Sequence, residues 1–168
     1  LRSRGLGDVY KRQYYYEPDD IVCNLPKRIA HSHKGTFGRV VVIAGCDTMS
    51  GACFLSAKAA YRMGAGLVHV VSTPSNRDTL LSALPEILFS TREEIKKVLP
   101  LASAVVIGPG IGLSKQSEEL VEYVLANTKV PTVVDGDAIT ICAKKDITFR
   151  NNFVLTPVSY THLTLPTN

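Results

Sequence analysis

Short apolar runs alternate with longer mixed stretches through the middle of the chain. Residues 39–44, 67–71, 86–89, 104–107, 132–134 and 153–155 read as strands. The strongest are apolar at almost every position, as strands covered on both faces should be. Residues 51–63, 76–84, 93–99 and 114–127 read as helices, the third as a surface helix with its charges on one side. Ser114 is placed to cap the last of these, because a serine oxygen there can accept from an orphan amide. Gly64 and Gly66 stop the first, whose Ala52, Ala57, Ala59 and Ala60 allow close packing on a sheet. Strand and helix in alternation predict an α/β fold with a mainly parallel sheet and helices on both faces. Residues 14–28 are polar and Pro-punctuated, a lead-in with helical turns over 19–24 ended by Pro26.

Three loops leave the carboxyl ends of these strands with unusual composition. The first runs from Gly45 through Thr48 to the small-residue helix start Ser50-Gly51-Ala52. The second is Gly108-Pro109-Gly110-Ile111-Gly112, and the third Asp135-Gly136-Asp137-Ala138. Ligands of open α/β sheets bind outside the carboxyl ends of the strands. Glycines there let backbone amides approach a phosphate or a ring, and a helix N-terminus favours an anion. The glycine spacing differs from the dinucleotide fingerprint, so a Rossmann dehydrogenase is not implied. Each loop also has a plain structural reading: a tight turn for the glycines, a packed helix start at Gly51-Ala52, a helix cap for Asp137. Asp135 and Asp137 could instead accept from ribose or amide groups, or hold a Mg²⁺-bound water.

Charge changes little once the ends are considered. The chain carries 19 Lys+Arg against 15 Asp+Glu, a net charge of +4. Arg2, Arg4, Lys11 and Arg12, less Asp8, supply three of those charges, leaving the body close to neutral. A nucleic-acid partner, which would want a basic patch on the domain itself, is therefore not expected. Residues 3–13 and 158–167 resemble, in translation, the two arms of a transposon-based sequencing adapter. The expected organisation is a foreign tail at 1–13, a lead-in or linker at 14–28, a partial domain at 29–157 and a second foreign tail at 158–168.

No apolar run approaches the ~20 residues of a membrane span. Cys23, Cys46, Cys53 and Cys142 lie in or beside apolar segments, as reduced thiols in a cytoplasmic protein would. His31 and His33 are not read as metal ligands. Lys34-Gly35 could bring a cation to an anionic ligand, and His69 reads as a core histidine with a satisfied partner.

Taken in order, HKGTFGRVVVIAG, MSGACFLSAKAAYRMGAGLVHV, LPEIL, VVIGPGIG, VVDGDAI and FVLTP resemble the ADP-dependent NAD(P)H-hydrate dehydratase family over residues 24–157. The resemblance implies a ribokinase-like three-layer αβα sandwich whose C-terminal half is missing. It also implies a repair reaction in which hydrated NADH or NADPH loses water at the expense of ADP, or of ATP, with Mg²⁺. Ala52 and Gly110 then match hydrate-contacting positions, and Gly108, Gly112, Asp135 and Asp137 become pocket neighbours. No catalytic residue or metal ligand is assigned, because the family's catalytic aspartate lies further along. Homo-oligomers, and an NAD(P)H-hydrate epimerase domain fused upstream, occur in such proteins. A ribokinase-like vitamin-precursor kinase and a non-catalytic nucleotide-binding module are the alternatives.

In the family, Thr-Pro is followed by His and then Gly-Glu, whereas Thr156-Pro157 here is followed by Val158 and Ser159. This polypeptide alone is therefore expected to give no ADP-dependent recovery of NADPH from its hydrate. Recovery above the uncatalysed rate, followed at the dihydronicotinamide absorbance, would contradict that expectation.

Overall fold

The computed structural model describes residues 2–3, 14–15, 17–22 and 30–157. It divides into two units, Leu1–Ser32 and His33–Asn168. In the first, Arg2–Ser3 pairs antiparallel with Tyr14–Tyr15, a ribbon the sequence pattern does not suggest. The helical turns expected after it are present as Pro18–Val22. The Glu17 amide donates to Asp20 Oδ2 at 3.0 Å across that helix's start. Asn24 and Pro26 lie outside the described residues.

The second unit carries the α/β sheet. Its strands are β1 (Arg39–Ile43), β2 (Leu67–Ser72), β3 (Leu88–Thr91), β4 (Ala104–Ile107), β5 (Thr132–Asp135) and β6 (Phe153–Thr156). Its helices are α1 (Ser50–Arg62), α2 (Arg77–Ala83), α3 (Ile95–Val98), α4 (Lys115–Asn127) and α5 (Gly136–Lys144). The strand order is β3-β2-β1-β4-β5-β6, and every pairing is parallel. The register sets Val40 opposite Val68 on one side and Ala104 on the other.

Side chains divide by the twofold period of the strands. Val41 and Ile43 enter one apolar cluster with Leu120, Val121, Val124 and Leu125 of α4 and Ala138, Ile139 and Ile141 of α5. Val42 and Ala44 enter the other, with Cys53 and Ala57 of α1 and Leu80 of α2. The sheet is thus covered on both faces, which is why its central strands are apolar at consecutive positions. Cys53 and Ala57 face the sheet one helical turn apart, and their small side chains let α1 lie close to it.

Local corrections have local causes. β3 begins at Leu88, two residues later than the apolar pattern suggests, because the Ile87 amide donates to the Leu84 carbonyl at 3.2 Å in a turn. Residues 93–99 do not form one surface helix: Arg92–Glu94 and Leu99–Leu101 are 3-10 turns flanking α3. Pro100 removes an amide and disfavours α geometry before it. Ile95, Val98 and Leu99 are buried, so this segment packs an apolar stripe. No loop separates β5 from α5, since the helix starts at Gly136 itself.

Cys53 and Cys142 are fully buried free thiols, and Cys46 is partly exposed. Cys23 lies outside the described residues. Burial pushes the thiols of Cys53 and Cys142 up to about 11. A raised folded-state value favours the fold fully below the unfolded thiol value and loses that contribution as pH climbs through the folded one. Stability should therefore fall between about pH 9 and 11. Cys53 and Cys142 should resist a thiol-specific aromatic disulfide at pH 8 and react once urea unfolds the chain. Rapid labelling of either in the native state would contradict their placement.

Candidate functional site at the carboxyl ends of the strands

β1 and β4 lie side by side, yet their following helices cover opposite faces of the sheet, α1 on one and α4 on the other. The next strands also lie on opposite sides of the pair, which makes this the switch point of the sheet. Two loops leave here, and backbone joins them. The Gly108 amide donates to the Ile43 carbonyl at 3.1 Å, and the Gly45 amide to the Pro109 carbonyl at 2.9 Å.

All six candidate residues come together here, in three touching pairs around the GPGIG loop. Gly110, at φ 59°, rests on the first turn of α1. A Cβ added to it would stand 2.9 Å from the Cβ atoms of Ala52 and Met49. Gly108, at φ 119°, lies so close to Asp135 that an added Cβ would overlap its carbonyl oxygen. The Gly112 amide donates to Asp137 Oδ2 at 2.9 Å. The loop is thus held on the α1 side by backbone contact and on the α5 side by a carboxylate.

The two carboxylates have different partners, one in the GPGIG loop and one at the end of β6. Asp137 lies in the first turn of α5 but accepts from Gly112. Asp135, in the N-cap position of α5, makes no side-chain cap; its Oδ1 accepts from the Thr156 hydroxyl at 2.7 Å. At the head of α1, Met49 in the cap position supplies no side-chain acceptor. A Cβ on the exposed Gly51 would meet nothing within 4 Å. The start of α1 therefore presents backbone amides beside Gly110, a surface suited to an anion or a polar ring substituent.

Other candidate chemistry lies elsewhere. His33 Nδ1 accepts from the Gly35 amide at 3.1 Å, capping a 3-10 turn, Lys34–Phe37. That turn packs near the amino ends of β1 and β2, where the Gly66 amide donates to the Phe37 carbonyl at 3.3 Å. Lys34-Gly35 is thus at the opposite end of a strand that spans roughly 15 Å. His69 Nε2 lies 3.1 Å from Ser90 Oγ, while its buried Nδ1 lacks a partner, so the histidine is only half satisfied. Burial, then the Arg39 charge, pushes His69 below its ordinary value.

Sequence reasoning missed the ties behind the loops. The Asn76 amide group donates to Ser72 Oγ at 2.9 Å and to the Cys46 carbonyl at 3.2 Å. The Ser72 hydroxyl donates to the Ala44 carbonyl at 2.7 Å. Ser75 Oγ donates to Asp47 Oδ1 at 2.6 Å, which with Thr73 keeps that carboxylate below its usual range. Arg92 Nη2 donates to the carbonyls of Gly45, at 2.7 Å, and Ile111, at 2.9 Å. The polar tetrad Thr73-Pro74-Ser75-Asn76 after an apolar strand was the available signal; Arg92 gave none.

A parallel sheet covered on both faces, with a switch point between β1 and β4, defines a doubly wound α/β protein. One solved ribokinase-like superfamily protein, from Enterococcus faecalis V583, superposes with a TM-score of 0.77 at 31% identity, covering 80% of this chain and 50% of the other. The NAD(P)H-hydrate dehydratase family profile matches residues 40–163, and the chain belongs to that family. An ADP-dependent (S)-NAD(P)H-hydrate dehydratase of Lactiplantibacillus plantarum is 40% identical over 124 residues, 71% of this chain and 45% of that protein. A bifunctional NAD(P)H-hydrate repair enzyme of Coxiella burnetii is 38% identical over 136 residues, 79% of this chain and 28% of that one. The ADP/ATP-dependent NAD(P)H-hydrate dehydratase of Bacillus subtilis, co-crystallised with ATP and Mg²⁺, gives a TM-score of 0.74 at 28% identity, over 87% of this chain and 53% of its own. The chain thus spans half or less of most of these proteins.

The Asp137 tie is open to direct test. Asp137→Ala leaves the Gly112 amide without its acceptor and should cost about 1–3 kcal/mol in urea unfolding. Amide exchange at Gly112 should rise in step. An unchanged unfolding midpoint would mean that Asp137 does not hold the loop.

Proposed function

We propose that the protein of which this chain is part is an ADP-dependent (S)-NAD(P)H-hydrate dehydratase, and that the described residues form its wall against the hydrated coenzyme. The contact of Gly110 with the α1 start at Ala52 carries this reading. Family membership favours it over the small-molecule kinase and the non-catalytic module. ATP is the alternative phosphoryl donor, given the range of donors in the relatives' names.

The chemistry required is modest. When bound, the nucleotide supplies a phosphoryl group that turns the ring hydroxyl, a poor leaving group, into a good one. The part of this chain is to bind and orient. Gly110 has no side chain to keep the ring from the loop, and amides at the head of α1 can meet a polar substituent. Gly108 and Gly112 fix the loop's path, Asp137 holds it from the α5 side, and Asp135 ties the end of β5 to Thr156 of β6. Among the described residues no cluster of His, Cys, Asp or Glu could bind a metal, and both aspartates already accept hydrogen bonds from protein groups. Mg²⁺ is accordingly assigned to the bound nucleotide, with no step drawn through these residues.

A homo-oligomer and an upstream epimerase domain belong to this reading as partners, the latter supported by the bifunctional relatives. No helix among the described residues is long and apolar enough to cross a membrane. Free Cys46, Cys53 and Cys142 favour a reducing compartment, and we place the protein in the cytoplasm.

Ala52→Leu tests the reading in the full-length protein. The larger side chain should block the ring's approach and raise KM for hydrated NADPH about tenfold or more, with little change in KM for ADP. Equal loss toward both would move the hydrate site away from Ala52, and an inactive wild type would remove the dehydratase assignment.

A further inference from the structure

One side chain reaches both loops at the switch point. Arg92 follows β3, two strands away from β1, and its guanidinium crosses to the carboxyl ends of β1 and β4. A single nitrogen, Nη2, donates to the carbonyls of both Gly45 and Ile111. Nη1 donates to Ser117 Oγ at 3.1 Å, and the Ser117 hydroxyl in turn donates to the Ile111 carbonyl at 2.8 Å. Ser117 is fully buried in the first turn of α4, so the cation is anchored on a helix that cannot shift without opening the core. Nε is buried without a partner. Leaving a donor unmet is costly, and it is offset by three hydrogen bonds that the other nitrogens make to Gly45, Ile111 and Ser117.

The two carbonyls bracket the contact on which the site depends. Gly45 opens the loop that ends at the head of α1, and Ile111 adjoins Gly110. Both accept from the same nitrogen, which keeps them within about 6 Å of each other. A planar guanidinium can serve three acceptors in fixed directions, which a lysine ammonium on a flexible stem does less well.

We propose that Arg92 is a positioning residue that sets the spacing between the α1 start and the GPGIG loop. Its consequence for the hydrated coenzyme rests on the dehydratase reading; the spacing itself does not. Arg92 touches no substrate in this scheme and acts through Gly45, Ile111 and Ser117.

The experiment compares wild type, Arg92→Met and Arg92→Lys in the full-length protein by amide hydrogen exchange and steady-state kinetics. In Arg92→Met, the Gly45 and Ile111 amides should exchange at least tenfold faster, while Val42 and Val106 stay within twofold of wild type. KM for hydrated NADPH should rise about tenfold, with kcat within twofold, and Arg92→Lys should recover part of both changes. Unchanged exchange at Gly45 and Ile111 would overturn the proposal. So would a uniform rise that includes Val42 and Val106, which marks a merely structural residue; faster loop exchange with KM unaltered would overturn the consequence for the hydrated coenzyme. An inactive wild type would dismiss the dehydratase reading, and the exchange arm would still decide whether Arg92 sets the loop spacing.

Discussion

Four matched positions, Val40 to Ile43 beside Ala104 to Ile107, place β1 and β4 in parallel contact while their chains leave for opposite faces of the sheet. Because the helices that follow diverge, the space between the two strand ends cannot be filled by either connection. Peptide groups there must still be satisfied, since unpaired buried amides are costly. The structure meets this with backbone alone where it can, Gly108 to Ile43 and Gly45 to Pro109. What remains is a junction of main chain, with the start of α1 packed against Gly110. The rest of the site depends on that divergence.

Main-chain packing of this closeness dictates residue type. Gly108 and Gly110 both hold positive φ, and at each an added Cβ would meet an atom too near to accommodate it. At Gly108 the obstacle is a carbonyl of the neighbouring strand, which cannot swing aside as a side chain could. At Gly110 the obstacle is the first turn of α1, which moves only with the helix. The loop is therefore stiff for two reasons: its conformation suits glycine, and its neighbours leave no room for alternatives. Stiffness alone does not fix where a loop stands relative to another element. Side chains from the far strand ends supply that: Asn76 from beyond β2, Arg92 from beyond β3, Asp137 from α5.

These different sources explain how far the sequence could be read. The apolar strands and the Ser114 cap are set by local pattern, and Ser114 Oγ accepts from the Ser117 amide at 3.2 Å as the pattern requires. Five of the six candidate residues stood out because glycines and aspartates follow apolar strands there, whereas Ala52 was singled out only by the family resemblance. Legibility failed where meaning comes from distant chain. Arg92 lies 47 residues from Gly45, in a stretch that looks like any charged helix start. The function of Asp137 likewise became visible only when Gly112, 25 residues earlier, was seen beside it. Turns at Ile87 and Pro100 broke elements that periodicity alone had joined, because one buried apolar residue fits a turn as well as a strand.

A hydrated dihydronicotinamide ring carries no net charge, which gives the use of the carboxylates a physical sense under the dehydratase reading. A neutral ring bearing one hydroxyl gains little from a facing aspartate, and desolvating an unpaired carboxylate against it would be expensive. Amides and a side-chain-free loop suit such a ring better, since they offer polar contact without fixed charge. Asp135 and Asp137 are accordingly turned to a threonine hydroxyl and a glycine amide, where charge strengthens a tie between two strand ends and a tie to the loop. Charge stabilisation of a transferring phosphoryl group is a separate demand, one that these residues are not asked to meet under that reading. Under that reading the ring meets glycine, alanine and main chain, while the charges of Asp137 and Arg92 are engaged by Gly112, Gly45 and Ile111. The clustering of glycine, alanine and main chain at this switch point has that consequence.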